Sequence, residues 1–248
     1  MRAFFMAAGV GSRLIKDSKV ELPPKSTLKI GHDTIIGHTV RMMDSHGIKP
    51  YVIDGYRYDV LEWVLSEFHT VNFFRNPFFR VTNSIGSLWI ARSAIAEAAK
   101  TGEDVIMANA DVFWGEDILD RLLSCDAPAV MLGDKTRCED GDYFFHLDDG
   151  KITEYGKEMT SDRRSCEYVG IAKIKNNAIP MFLEALEKLI WDECYNMWWE
   201  DVLYRSCDKH PIDVIDVDGA FWAEVDYAED YHRILNHLGL PNVESMFK

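Results

Sequence analysis

The sequence predicts an α/β fold: a single Rossmann-like three-layer α/β/α domain, with a mixed, mostly parallel sheet and a small β-rich insertion. Three observations predict it. Short apolar runs alternate with helix-periodic stretches through the first half, the pattern of strand–helix–strand units in a parallel sheet. Residues 104–108 form a near-continuous apolar run, as a strand buried on both faces requires. The 248 residues, 47% of them hydrophobic, suffice for one large core.

The elements follow in order. Residues 2–7 read as a buried strand that runs straight into the turn Gly9-Val10-Gly11-Ser12. Pro23-Pro24 forbids regular structure ahead of Lys25. A helix begins after Thr34 and continues to about His46, where Gly47 stops it. Residues 51–55 are a second strand and turn, 59–68 have the spacing of an amphipathic helix (Val60, Trp63, Val64), and 71–74 are a third strand ending at Asn76-Pro77. Asn83 caps a helix reaching about Ala99. The central strand at 104–108 delivers Asp111 just past its C-terminal end, and a short helix (118–123) and a strand (129–132) follow.

After Asp134 the pattern changes. Residues 143–147 and 151–153, joined by Asp148-Asp149-Gly150, read as a hairpin, and 168–174 as another strand. Helices are expected at 179–190, 199–207 and 228–238. Residues 212–217 and 221–225 are expected to pair with each other as strands. Trp191 and Trp198 are expected in the core.

The bulk properties narrow the function. A formal charge of −14 argues against nucleic-acid or anionic-membrane partners, since a polyanion would be repelled. The apolar start is broken by Gly9, Gly11 and Arg13 and lacks a basic leader with a cleavage site, so a soluble cytoplasmic protein without membrane insertion is expected. Five cysteines, odd in number and without a CxxC pair, suggest neither a disulfide framework nor a zinc site. Oligomeric state is open, a homodimer included.

Four features carry chemistry. In Ala7-Ala8-Gly9-Val10-Gly11-Ser12-Arg13-Leu14, glycines let the backbone approach an anion, and Arg13 adds a fixed guanidinium fork. An ordinary tight strand-to-helix turn would use the same residues. Lys25, stiffened by Pro24, can neutralise charge on a transferring phosphoryl group, although a lone loop lysine is more often only solvated. Asp111 and Asp226 each follow an apolar strand, where open α/β sheets bind ligands, and could share one Mg²⁺. Each could equally cap a neighbouring helix.

Taken together, these residues resemble the signature of the sugar-phosphate nucleotidyltransferase superfamily, and within it the bacterial cytidylyltransferases of the phosphocholine type. The resemblance extends in the same order through Asn76-Pro77-Phe78, residues 82–88, Asn109-Ala110-Asp111-Val112, residues 166–171, Trp199-Glu200-Asp201 and residues 222–226. It implies a nucleotide-diphospho-sugar transferase fold, with a nucleotide-binding half at 1–133 and an acceptor-binding half, including the β-rich insertion, at 134–248. It implies that Ala8, Gly9, Gly11, Ser12 and Arg13 hold a triphosphate, and that Asn83, Ser84 and Ser87 lie near base and ribose. Lys25 would stabilise charge at the α-phosphate, and Asp111 and Asp226 would bind Mg²⁺. Residues 15–22, rich in charge, lack the Pro-Leu-Thr often seen in the sugar enzymes.

For the acceptor, the second half offers aromatics and acids together. Aromatic faces hold a quaternary ammonium; carboxylates suit a primary amine. Glu167, Tyr168, Trp199, Glu200 and Asp201 are the candidate contacts. The expected reaction is transfer of CMP from CTP to phosphocholine, giving CDP-choline and pyrophosphate. The alternatives are 2-aminoethylphosphonate or a sugar 1-phosphate as acceptor, or a catalytically silent regulatory subunit on the same fold. A nicotinamide dehydrogenase is weakened by Leu14 where a third glycine is needed.

Overall fold

The computed structural model describes residues 1–11, 13–14, 22–139 and 141–242. In chain order the strands and helices are β1 (Arg2–Met6), β2 (Lys29–Ile30), β3 (Asp33–Thr34), α1 (Ile35–Ser45), β4 (Lys49–Asp54), α2 (Tyr58–Val64), β5 (Asn72–Arg75) and α3 (Ser84–Lys100). There follow β6 (Val105–Asn109), β7 (Val112–Trp114), α4 (Glu116–Ser124), β8 (Ala129–Asp134), β9 (Phe144–Asp148), β10 (Lys151–Gly156) and β11 (Cys166–Ile174). The last are α5 (Ile179–Trp191), α6 (Asp201–Tyr204), β12 (Asp213–Asp216), β13 (Trp222–Glu224) and α7 (Ala228–His237).

Nine strands form one sheet in the order β5-β4-β1-β6-β11-β8-β12-β10-β9. The pairings from β5 through β6 are parallel, and β8 pairs parallel with β12. Among these nine, β10 and β11 run against the rest, which makes the sheet mixed but mostly parallel. Strands from both halves of the chain thus interleave in one layer.

Alternation along the central strands explains the three layers. Phe4 and Met6 of β1, with Val105 and Met107 of β6, face α3 and α5 through Ile85, Leu88, Ile95, Phe182 and Leu186. Ala3 and Phe5, with Ile106 and Ala108, face α1, α2 and α4 through Ile36, Val40, Leu61, Ile118 and Leu122. Side chains of period two on strands buried on both faces leave no room for polar residues, hence the unbroken apolar runs. A third cluster joins Leu14, Leu28 and Ile35 to Phe113, Val225, Tyr231 and Ile234, seating α7 against the β7–β13 ribbon.

The caps behave as the sequence predicts. Thr34 Oγ1 accepts the Gly37 amide at the start of α1, and Asn83 Oδ1 accepts the Ser84 amide at the start of α3. Three expectations are corrected. Residues 212–217 and 221–225 do not pair: β12 joins β8 and β10 in the main sheet, while β13 pairs antiparallel with β7. The helix expected at 199–207 shrinks to the four residues of α6. The Trp199 amide is held by Ser84 Oγ and the Trp198 amide by Asp201 Oδ2, so the chain enters α6 as a tethered turn. Trp191, at the end of α5, is 75% exposed and Trp198 is 40% exposed, whereas Trp199 is fully buried. All five cysteines are free thiols. Among the described residues, no helix is long and apolar enough to cross a membrane.

Candidate active site

The site forms where β1 and β6 end side by side. Met6 is in register with Asn109, so Ala8-Gly9 and Asp111 emerge at the same edge of the sheet. The β7–β13 ribbon brings in the third segment: Glu224 pairs with Val112, and the Val225 amide donates to the Asp111 carbonyl at 3.1 Å. Glu224 and Asp226, two apart, therefore bracket Asp111. A 3-10 turn at Lys25–Thr27 supplies the fourth. It is pinned by the Thr27 amide and hydroxyl, each 2.8 Å from the Pro24 carbonyl.

Lys25 Nζ sits 2.5 Å from Asp226 Oδ1 and 3.8 Å from Asp111 Oδ2, and Arg13 reaches the other Asp226 oxygen. Burial opposes the charge on Lys25, but Asp111 and then Asp226 outweigh it and raise its pKa. Asp111 is raised by burial, with Lys25 pulling it down and Asp226 pushing it up. Glu224 is raised well above the carboxylate range by burial, then by Asp111 and Asp226. Two cations thus face three crowded carboxyls, Asp111, Glu224 and Asp226, of which Glu224 is pushed furthest toward its protonated form.

Gly11 is constrained twice. Its φ is +67°, and a Cβ there would stand 3.0 Å from Lys25 Cγ. Only glycine gives both the backbone turn and the passage for Lys25.

Two adjoining cavities flank this centre. One, of about 300 Å³, is lined by Ala8, Gly9, Asn83, Ser84, Ser87, Asp111 and Glu200. Here the Ser84 hydroxyl accepts the Trp199 amide at 2.9 Å and the Ser87 hydroxyl accepts from Asn76 Nδ2 at 3.0 Å, so both help to shape the wall. The other, of about 330 Å³, is lined by Gly11, Arg13, Lys25, Tyr143, Lys157, Tyr168, Trp198, Glu200, Tyr204, Glu224 and Asp226, among others.

The structure brings Ala8, Gly9, Gly11, Arg13, Lys25, Asn83, Ser84, Ser87, Asp111, Tyr168, Glu200 and Asp226 to this cleft. Ser12 lies outside the described residues. Glu167 lines a smaller neighbouring cavity, paired with Arg137 at 2.9 Å, and burial pushes its carboxyl up to about 7. Trp199 is corrected: it is buried beneath the cleft, where Nε1 donates to Asn109 Oδ1 at 2.8 Å. Asp201 is likewise turned to its own backbone, accepting the Trp198 amide at 3.0 Å.

Sequence reasoning passed over Asn109, Tyr143, Lys157, Tyr204 and Glu224. Glu224 was legible, because a strand ending Glu-Val-Asp places both acids on one face. Asn109 matters as a bridge: it receives Trp199 on Oδ1 and donates Nδ2 to Glu200 Oε1 at 3.1 Å. Burial pushes Glu200 up to about 8, with hydrogen bonds from its own backbone and Asn109 opposing.

No protein-family model matches the chain. A CTP:phosphoglutamine cytidylyltransferase of Campylobacter jejuni is 26% identical over 250 residues, covering 93% of this chain and 97% of that one. The chain is thus similar to a cytidylyltransferase along nearly its full length. The chain has the fold of a CTP:phosphocholine cytidylyltransferase from Streptococcus pneumoniae, with a TM-score of 0.76, 16% identity and coverage of 96% and 98% of the two chains. An inositol-1-phosphate CTP transferase from T. maritima superposes with a TM-score of 0.72 at 15% identity over 97% of each chain. A putative glucose-1-phosphate thymidylyltransferase from Bacillus anthracis gives 0.74 at 16%, over 100% and 98%.

Among the described residues, no three His, Cys, Asp or Glu side chains group closely enough to hold a metal ion alone. Asp111 and Asp226 nevertheless fit Mg²⁺. They are hard oxygen donors converging from two strand ends, and Mg²⁺ is ordinarily held by one or two carboxylates plus phosphate and water.

Proposed function

We propose that the protein is a Mg²⁺-dependent cytidylyltransferase that moves CMP from CTP to a small, nitrogen-bearing phosphorylated acceptor and releases pyrophosphate. The observation that carries this reading is the convergence of Lys25, Arg13, Asp111 and Asp226 beside the Gly9–Gly11 turn, between two cavities of similar size. The cavity under Ala8 and Ser87 suits the nucleoside, and the aromatic and acidic one suits the acceptor. CTP as donor is supported by the Campylobacter relative.

The chemistry follows from charge. An acceptor phosphate oxygen, already ionised at neutral pH, attacks the α-phosphorus in line with the departing pyrophosphate, so no general base is needed. The obstacle is repulsion between two anions and charge growing on the leaving group. Lys25, released from its aspartate partners, faces the reacting phosphates, and Arg13 and the amides of the Gly9–Gly11 turn hold the rest of the triphosphate. Asp111 and Asp226 would hold Mg²⁺, which would supply charge neutralisation at the phosphates. Asn83 and the walls at Ser84 and Ser87 confine the nucleoside.

Pyrophosphate release tests this directly. CTP, UTP, ATP and GTP are each crossed with phosphocholine, 2-aminoethylphosphonate, phosphoglutamine, glycerol phosphates and hexose 1-phosphates. CTP with a nitrogen-bearing acceptor is expected. Preference for a hexose 1-phosphate would remove the acceptor assignment and spare the reaction class, whereas preference for another nucleotide would remove the cytidylyl assignment.

A further inference from the structure

On the acceptor side of the cleft, two buried polar atoms have no hydrogen-bond partner among the described residues: the hydroxyl of Tyr168 and Oε2 of Glu200. The residues are 8% and 5% exposed, and both line the same cavity. Burying a polar atom without a partner is costly, so a partner arriving from the cavity explains why both are kept.

Each is held in place from behind. Glu200 Oε1 is taken by Asn109, itself anchored by Trp199, which leaves Oε2 as the uncommitted oxygen. Tyr168 precedes a register shift in β11, where Gly170 at φ +89° packs against Val112 and Asn109. Its ring packs tilted on Phe145 and edge-on against Tyr204.

The neighbouring aromatics do not make an open cage. Tyr204 is sandwiched between Tyr143 at 5.2 Å and Tyr155 at 4.8 Å, both nearly parallel to it. The Trp198 ring already carries a cation, with Lys157 Nζ 4.9 Å from its centroid. A quaternary ammonium needs free aromatic faces and brings no N–H. A primary ammonium brings three donors and a positive charge: it favours the ionised form of Glu200, whose Oε2 then accepts as its proton passes to solvent, and the Tyr168 hydroxyl accepts beside it.

We propose, on the footing of the cytidylyl-transfer reading, that Tyr168 and Glu200 form a seat for a primary ammonium on the phosphorylated acceptor. The seat selects –NH₃⁺ over its trimethylated counterpart and so replaces the phosphocholine expected from the sequence.

Phosphoethanolamine and phosphocholine differ only in those methyl groups and serve as the probes. With CTP and Mg²⁺, kcat/KM for phosphoethanolamine should exceed that for phosphocholine by at least about tenfold, as a site built to hydrogen-bond a substrate N–H rejects the analogue lacking it. Glu200→Gln and Tyr168→Phe should each move this ratio toward one by raising the KM for phosphoethanolamine, and Tyr168→Phe, which lies outside the nucleoside cavity, should leave the KM for CTP unchanged. A merely structural role would not move the ratio. Equal or better use of phosphocholine, use of neither probe, or a change confined to the KM for CTP would overturn the seat. If another nucleotide proves to be the donor, the cytidylyl reading fails, and the same two probes with that nucleotide still decide the seat.

Discussion

Lys25 Nζ lies 2.5 Å from Asp226 Oδ1, although 201 positions separate the two residues in the chain. The contact closes the site across the whole fold, with the turn after Pro24 on one side and the end of β13 on the other. Lys25 also offsets Asp111, Glu224 and Asp226 before any ligand arrives. Its replacement therefore has two separable effects. Lys25→Met should lower kcat by a factor on the order of 10² to 10³, the range for loss of one preorganised charge-stabilising group. It should also leave the raised carboxyls of Asp111 and Glu224 without their cation, so its stability deficit should be larger at alkaline than at acid pH, where they hold their protons. Steady-state rates and urea midpoints at acid and alkaline pH check this. A variant with normal kcat removes Lys25 from the chemistry.

A side chain at Gly11 would crowd Lys25. Gly11→Ala places a Cβ 3.0 Å from Lys25 Cγ at a φ of +67°. The backbone alone costs about 1–2 kcal/mol for a non-glycine residue in this region. The expected outcome is a lowered melting temperature with a larger loss in kcat than in affinity for the acceptor, since Lys25 is displaced. Unchanged kcat beside a lowered melting temperature would show that Lys25 has room to move aside.

Asp111→Asn separates metal chemistry from folding. The carboxyl is raised by burial, so the neutral amide should leave the ligand-free protein as stable as before or more so. Activity should fall on the order of a hundredfold or more at every Mg²⁺ concentration tried. Near-normal turnover would take Asp111 out of the metal site.

Trp199 acts from beneath the cleft. Trp199→Phe removes the donor to Asn109 Oδ1 and leaves a buried acceptor bare, a cost of about 1–3 kcal/mol. Because Asn109 also holds Glu200, the acceptor KM should rise while the CTP KM stays put. Denaturant titration and paired KM measurements check it, and a stability loss with both KM values unchanged would make Trp199 a packing residue alone.

The sequence made the nucleotide half legible because its signals are local. Apolar runs, Thr34 and Asn83 as caps, and glycines after a strand each act within a few residues. The acceptor half depends on distant pairings. Nothing local in residues 212–217 says that they join β8 rather than 221–225. The tryptophans show the same limit: adjacent Trp198 and Trp199 have identical chemistry, and only the Ser84 and Asn109 contacts, about a hundred residues upstream, decide which is buried. Glu200 and Tyr168 were found as residue types; their bare atoms, and the stacking that closes Tyr204, exist only once β9, β10, β11 and α6 have assembled.

Glu200 and Glu167 tie stability to pH with a definite sign. Burial pushes the first to about 8 and the second to about 7, from an ordinary 4.5. Below the ordinary value both the folded and unfolded chains hold these protons, and the two groups contribute no pH dependence. Above it the unfolded chain releases protons that the native state keeps, so the native state binds more. Stability therefore falls as pH rises from about 4.5 to about 8, then levels off once the folded groups ionise. Glu200→Gln removes the larger of the two contributions while keeping the Asn109 contact. Without nucleotide or Mg²⁺, its urea midpoint should match wild type near pH 4.5 and exceed it near pH 8.5. Parallel profiles across that range would mean that Glu200 ionises freely in the native state, and that its buried oxygen is reached by water.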